Sequence, residues 1–581
     1  MNKYLILAMI MVMIFLLGWP LEWVPIVMII IPIILPLVEA LGFNLTWFAI
    51  LVAVNLQTAW LSPPVALSAY FLKGVVRFTA HTARGTFPRN DKEVGMIRAR
   101  VPTVLFSLIV LLSACGEGGG TSSGSTPTPT ASTPTPTPAS GGTCSLRDRQ
   151  DWAAAQLREW YLFPDTLPST LDPTPYTTVG DYIDALTAPA RAQRKDRYFT
   201  YLTSIASENA YYNSGTSAGY GFRLTLDPTA GRLFVAESFE GAPALSAGLD
   251  RGTEILAIGT SANTLRTVSA ILAAEGSAGL SNALGPDTSG TSRTFQVTDT
   301  GGTRTVSISK ADYALTPVSS RFGAQILNDG GRQVGYINLR TFISTADPAL
   351  RSAFASFRAA GVTNIIIDLR YNGGGLISIA ELMSNLLGAN RSTSELIDNT
   401  TFRPEKAANN ITARFAPQPE SIAPTRVAFI GTPGTASASE LVIAAQIPYL
   451  HANAALIGTN TYGKPVGQIA LDRSQCDDRL RVIAFALQNA NRQGAYYNGL
   501  VGTVEASCQA DDDLTHAMGS PQEHSTRAAL DYLAGRSCTA VTASGALQSG
   551  QSTRIAAPKQ PMELLSPERP GTVQREVPGA F

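Results

Sequence analysis

Residues 116–143 are drawn almost wholly from Gly, Ser, Thr, Pro and Ala, with Thr-Pro alternating from Thr126 to Pro138 apart from Ala131-Ser132. Such a tract has little to bury, cannot form a core and reads as a semi-extended linker. It splits the 581-residue chain into two unlike parts. The part before it is almost continuously apolar from residue 4 to residue 76, and the part after it has the mixed patterning of a globular protein. Lys and Arg (44) balance Asp and Glu (44), which argues against a nucleic-acid partner.

In the front part, the apolar runs Leu5 to Leu17, Val24 to Val38 and Trp47 to Leu72 are broken by Pro20, Pro32, Pro36, Pro63 and Pro64. This is membrane composition, and residues 1–76 are expected to form a hydrophobic membrane segment. Asn55-Leu56-Gln57-Thr58 and Ser62-Pro63-Pro64 resemble the last part of a TRAP-type (tripartite) transporter large permease. The resemblance covers only a terminal fragment, so transport is not expected. The basic stretch that follows, with Arg77, Arg84 and Arg89, belongs on the cytoplasmic side by the positive-inside rule.

Met96 begins what reads as a second start, and residues 96–115 form a signal-like segment. Arg98 and Arg100 supply a charged region, Val101 to Leu111 a short apolar one, and Leu112-Ser113-Ala114-Cys115 resembles a lipobox. The resemblance implies a lipid-modified Cys115; a free cysteine ending a transmembrane helix is the alternative. Residues 1–95 are then expected to stem from a gene fusion or an early start. Gly116 after the cysteine, rather than aspartate, favours an outer membrane. Cys144, Cys476, Cys508 and Cys538 permit two disulfides in an exported chain, with three connectivities open. Zinc is less favoured, since no Cys-x-x-Cys or His-Glu-x-x-His occurs.

The back part divides by pattern into a multidomain α/β and α+β protein. Residues 144–212 read as a helical module with apolar stripes at Trp152, Leu157, Trp160 and Tyr161 and at Tyr182, Ile183 and Leu186. Residues 217–313 read as a β domain, with a hairpin at Gly301-Gly302 and a glycine-rich insertion from Glu275 to Gly290. In residues 314–540, strands Val334 to Leu339, Ile365 to Leu369 and Val427 to Ile430 alternate with helices Ala349 to Ala360 and Ile377 to Leu387, which argues an α/β core of mixed sheet. Arg479 to Leu487 and Tyr496 to Val504 add candidate strands, Asp511-Asp512-Asp513 a solvated turn or a cation site, and Thr526 to Leu533 a closing helix. Residues 541–581 have the composition of a flexible tail.

The chemistry concentrates in Thr435-Ala436-Ser437-Ala438-Ser439-Glu440 and Thr461-Tyr462-Gly463-Lys464-Pro465-Val466-Gly467-Gln468. A serine hydroxyl needs a base and an oxyanion site. The apolar run from Leu441 predicts a buried helix that sets Ser437 and the Ala438 N–H at its positive end. Lys464 serves as a base where burial lowers its pKa, and Gln468 is placed to hold its amine. The bland alternative is a solvated Lys464 with serines as helix caps. A histidine base is disfavoured, because His451 lies beyond the nucleophile helix.

The whole constellation resembles the carboxyl-terminal processing (tail-specific) serine peptidases. Their nucleophile falls on Ser437 rather than Ser439, their base on Lys464 and their supporting glutamine on Gln468. Their Asp-Leu-Arg-x-Asn-x-Gly-Gly motif stands at Asp368-Leu369-Arg370-Tyr371-Asn372-Gly373-Gly374-Gly375 with Gly373 in place of the usual proline. The resemblance implies an oxyanion hole of Ala438 with Gly374 or Gly375. Gly219-Tyr220-Gly221-Phe222 resembles the carboxylate-binding loop of a PDZ domain, where peptide tails add a strand. Tyr161-Leu162-Phe163-Pro164-Asp165 and Asp196-Arg197-Tyr198-Phe199 resemble the family's helical module.

The resemblance implies an endopeptidase of the cell envelope, lipid-anchored with its catalytic domain outside the cytoplasm. It would cleave near the C-termini of protein or peptide substrates, without metal or organic cofactor. The alternative from another class is an inactive PDZ-containing scaffold lipoprotein.

Overall fold

The computed structural model describes residues 3–17, 34, 38, 48, 51, 52, 55, 144–542 and 562–581. The chain forms two compact units, Met1–Ser132 and Thr133–Phe581. In the first, the helix Lys3–Leu17 buries Leu7, Ile10 and Ile14 in a cluster with Ile34, Val38, Phe48 and Val52. Among the described residues no helix is long and apolar enough to cross a membrane. Most of the membrane-like stretch 1–76, the signal-like segment 96–115 with Cys115, and the linker 116–143 lie outside the described residues.

The second unit opens with helices α1 (Leu146–Trp160) and α2 (Val179–Ala192). Both begin where a hydroxyl takes an orphan N–H, Ser145 from Asp148 at 3.2 Å and Thr178 from Asp181 at 3.0 Å. Their apolar stripes close on Val466, Leu480, Val482 and Ile483 of the stretch 314–540. Strand β1 (Tyr201–Ser204) pairs antiparallel with that region too, and α3 (Ile205–Ser214) follows. The helical stretch thus shares its core with residues 314–540.

Next comes an antiparallel β unit of β2 (Phe222–Asp227), β3 (Arg232–Ser238), β4 (Glu254–Gly259), β5 (Ser292–Asp299) and β6 (Gly302–Ser309), in the order β2-β3-β4-β5-β6. The expected hairpin at Gly301-Gly302 joins β5 to β6. Much of the stretch expected as a glycine-rich insertion is helix: α4 (Val268–Ala283) is capped by Thr267 and breaks only at Gly276. Ile271 and Leu280 hold its two halves on the core of β2 to β6.

Residues 314–540 build a sheet in the order β7 (Ala324–Asp329), β8 (Arg332–Asn338), β9 (Asn364–Asp368), β12 (Arg426–Gly431), β13 (Ala454–Gly458) and β16 (Ala506–Gln509). All its pairs are parallel except β7 with β8. The inner strands β9, β12 and β13 carry nearly continuous apolar runs because both faces are covered. Ile365, Ile367, Val427 and Phe429 pack under α5 (Ala346–Ala359), α6 (Ile377–Leu386) and α7 (Ala438–Leu450), whereas Ile366, Ala428 and Ile430 pack under α8 (His524–Leu533). A second, antiparallel sheet runs β1-β15-β10-β11, from β10 (Leu396–Phe402), β11 (Ile411–Arg414) and β15 (Asp478–Asn489), with β14 (Val466–Arg473) also on β15.

The stretch 496–504, expected as a strand, is turns and a short 3-10 helix at Leu500–Gly502; Gly499, at φ +89°, bends it. Asp512, expected in a solvated turn or cation site, ion-pairs with Arg251 at 2.7 Å and Arg370 at 3.1 Å. The disulfides are Cys144–Cys476 and Cys508–Cys538. The expected flexible tail is structured over 562–581. Strand β17 (Glu563–Leu564) joins β2, helix α9 (Thr572–Glu576) follows, and Leu565 and Phe581 sit in the β-unit core. Its sparse apolar residues find partners far away in sequence, which local composition does not register.

Candidate active site

Strands β9, β12 and β13 are adjacent and parallel, so the loops that leave them emerge on one edge of the sheet. Those loops carry Gly374 and Gly375, Ser437, and Lys464. An α/β sheet offers its binding crevice at such carboxyl ends.

Ser437 stands between β12 and α7 with φ +56° and ψ −115°, an unusual conformation for a non-glycine residue. It is half-buried, and Ala438 N–H opens the helix behind it. Ser439 is wholly buried and spends its hydroxyl on the Asn372 carbonyl at 3.0 Å, whereas Ser437 is only half-buried. The same carbonyl accepts Ala436 N–H at 3.0 Å, so Asn372 pins the glycine loop to the serine turn. Gly374, at φ +120°, brings its backbone so near that an added Cβ would lie 2.8 Å from the Ser437 Cβ. Its N–H is held by Asn372 Oδ1 at 2.9 Å, whereas Gly375 N–H makes no hydrogen bond among the described residues.

Lys464 Nζ donates to Gln468 Oε1 at 3.1 Å and sits 5.0 Å from the Phe199 ring centre. The Gln468 amide is oriented in turn by its bond to the Phe199 carbonyl. Burial pushes the Lys464 amine below its usual value; the Glu576 carboxylate pulls it back up, and Arg575 and Arg481 lower it further. No hydrogen bond joins Ser437 Oγ to Lys464 Nζ among the described residues; apo catalytic contacts are often long.

Two positioning residues escaped the sequence reading. Glu440, wholly buried, accepts from Ser437 N at 3.0 Å, Lys464 N at 2.7 Å, Gly463 N at 2.7 Å and Thr461 Oγ1 at 2.6 Å. It fastens the serine turn to the lysine loop; burial raises its pKa and those four bonds oppose the rise. Arg197 stacks 3.9 Å from the Tyr462 ring centre and donates to the Tyr462 carbonyl at 2.8 Å. Glu440 lay inside the serine motif, but nothing in the sequence said where its carboxylate points.

Deeper in the glycine loop, Arg370 is wholly buried between Asp368 at 3.0 Å and Glu523 at 2.8 Å, and its charge holds Glu523 well below the usual carboxylate range. His451 caps the far end of α7, about 20 Å along the helix from Ser437, and faces Glu505 at 2.9 Å. It is not a base for Ser437.

Gly219-Tyr220-Gly221-Phe222 forms the entry to β2. Tyr220 and Phe222 are buried in the core of the β unit, and Gly221 N–H donates to the Phe581 carbonyl at 2.9 Å.

The family model of peptidase family S41 matches residues 333–495, and that of the DctM component of tripartite ATP-independent periplasmic transporters matches residues 1–115, beyond the 1–76 expected. A carboxyl-terminal-processing protease of Picosynechococcus sp. is 25% identical over 291 residues, 50% of this chain and 63% of that protein. A chloroplastic C-terminal processing peptidase of Tetradesmus obliquus is 27% identical over 272 residues, 45% of this chain and 54% of that one. The chain therefore spans less than two thirds of the length of these relatives. The crystal structure of a putative S41 protease from Bacteroides fragilis shares the fold, with a TM-score of 0.52 at 23% identity over 66% of this chain and 97% of that one. The match to the model of peptidase family S41 spans residues 333–495, the stretch that holds both Ser437 and Lys464.

Proposed function

We propose that the chain is a serine endopeptidase that cleaves near the C-termini of envelope proteins through a Ser437–Lys464 dyad. The observation that carries this reading is a half-buried lysine of lowered pKa, held by Gln468, on a loop that Glu440 ties to the Ser437 backbone. Ser437 Oγ attacks the peptide carbonyl while neutral Lys464 takes its proton. Ala438 N–H with Gly374 or Gly375 N–H receives the oxyanion, and Gly375 is the donor with no bond to give up. Lys464 then returns the proton to the leaving amine, and water, activated by the same lysine, releases the acyl group.

Substrate tails add a strand to β2 with their ends at Gly219 to Phe222, in the manner of a PDZ domain. The disulfides Cys144–Cys476 and Cys508–Cys538 suit an oxidising compartment outside the cytoplasm, to which acylated Cys115 would tether the enzyme. The inactive-scaffold reading has one observation in its favour, the missing hydrogen bond between Ser437 Oγ and Lys464 Nζ.

The test is modification of the full-length chain by a small fluorophosphonate, mapped by mass spectrometry. Label on Ser437 that is lost in Lys464→Ala supports the dyad. Label on Ser439, or undiminished label in Lys464→Ala, contradicts it.

A further inference from the structure

Residues 562–581 run through both the peptide groove and the catalytic cleft. At one end β17 pairs antiparallel with β2, Glu563 opposite Leu226 and Leu564 opposite Thr225, and Leu565 N–H donates to the Leu224 carbonyl at 3.0 Å. At the other end Gly579 to Phe581 return to the same edge. Leu224 N–H donates to Gly579 at 2.9 Å, Phe581 N–H to Phe222 at 3.1 Å, and Gly221 N–H to Phe581 at 2.9 Å. Phe581 is buried among the apolar side chains of the β unit. Gly219 lies so close that a Cβ there would be 2.9 Å from the Phe581 main-chain carbon. This is strand addition, the mode by which such an edge takes a peptide, with the chain's own segment as the peptide.

Between those ends the segment crosses the active site. Glu576 offers its carbonyl to Gly373 N–H at 2.9 Å, one residue from the candidate oxyanion donors. Its buried carboxylate accepts from Tyr212 Oη at 3.0 Å and keeps one oxygen without a hydrogen-bond partner. Arg575 stacks 3.9 Å from the Tyr201 ring centre, Gln574 Nε2 reaches Asp287 at 2.7 Å, and Arg569 pairs with Asp181 and Asp184 on α2. Gly373 is where this chain departs from the family's proline. A proline there has no N–H for Glu576, and a Cβ at this position would collide with the Arg575 carbonyl. The departure from the motif and the passage of the segment therefore meet at one residue.

We propose that residues 562–581 are an autoinhibitory strap, which excludes substrate tails from β2 and substrate chain from the Ser437 cleft until it is displaced. The inference rests on the peptidase reading above for what is inhibited, but not for the occupancy itself. The strap is built to block rather than to be cut. It passes the cleft as a turn of helix, Thr572–Glu576, and not as the extended strand a peptidase cleaves. Its Glu576 carboxylate also favours the protonated form of Lys464, the form that cannot act as a base. A displacing peptide carries a large apolar side chain that fills the place of Phe581 in the β-unit core.

The test uses the full-length chain in a Ser437→Ala background and a fluorescent peptide of residues 570–581. Phe581→Asp, and separately Arg575→Ala, which leaves the β-unit core intact, are expected to bind the peptide at least about tenfold more tightly, because the competent fraction rises. Circular dichroism confirms that each is folded. Equal affinity in the folded parent and both variants overturns the strap. With Ser437 restored, the same variants are expected to cleave an unfolded reporter faster, and added peptide of residues 562–581 to slow them again. If affinity rises and nothing cleaves, the strap stands and the dyad reading falls. If all cleave alike and bind alike, the strap falls and the dyad reading stands.

Discussion

The groove along β2 and the cleft at Ser437 are filled by the same segment in opposite ways. In the groove, backbone hydrogen bonds and the buried side chains of Leu565 and Phe581 hold it. In the cleft, charged and polar groups do so, Arg575 on Tyr201 and Tyr198 and Glu576 beside Lys464 and Tyr212, while Arg569 pairs with Asp181 at the surface. Apolar burial and a strand ladder tolerate salt and pH, whereas exposed ion pairs do not. The groove holds the segment by apolar burial of Leu565 and Phe581, and the cleft supplies the point at which docking touches chemistry.

The largest effect expected is on that chemistry. Ser437→Ala and Lys464→Met lower cleavage by at least about a thousandfold, with melting temperatures close to the parent's. Equal loss in Ser439→Ala, whose hydroxyl only bonds Asn372, would break the assignment of the nucleophile. On the groove side, Phe581→Ala weakens strap docking by about 3 kcal/mol, read as faster hydrogen exchange at the Leu224 amide. Glu440→Gln lowers kcat by about a hundredfold, because its four donors lose a charged acceptor; an unchanged kcat would make Glu440 purely structural.

The pH profile sharpens the comparison further. Burial depresses the Lys464 pKa, so cleavage rises with pH through a value below the ordinary lysine range. Because Glu576 opposes that depression, Glu576→Gln moves the inflection to lower pH. For stability the sign is the same: unfolded Lys464 binds protons more readily than folded Lys464. Stability therefore rises with pH between the lowered folded value and about 10.4, the unfolded one. The smallest effect is at the surface, where Arg569→Ala weakens docking by less than about 1 kcal/mol and 1 M salt abolishes the difference.

The sequence made the catalytic sheet legible because apolar strands and helices alternate there at fixed periods, and Ile365 to Ile367 is apolar on both faces. Ser437, Lys464 and Gln468 were legible as a motif, and the Lys464 to Gln468 bond is local, four residues apart. What escaped is long-range. The strap reads as loop because Leu565, Val577 and Phe581 follow no period, and their partners lie more than two hundred residues earlier. Asp512 looked solvated because Arg251 and Arg370 are distant in sequence, and Tyr496 to Val504 looked like a strand until Gly499 and Gly502 turned it. The helix α4 was missed because Gly276 breaks its pattern while Ile271 and Leu280 hold both halves down.

The most direct measurement of the dyad is cleavage of an unfolded protein with an apolar end by the full-length Phe581→Asp chain, alone and with Ser437→Ala, Ser439→Ala or Lys464→Ala added. Cleavage that survives only in the parent and with Ser439→Ala is the expected result. Cleavage that persists without Ser437 or without Lys464 contradicts the site as assigned.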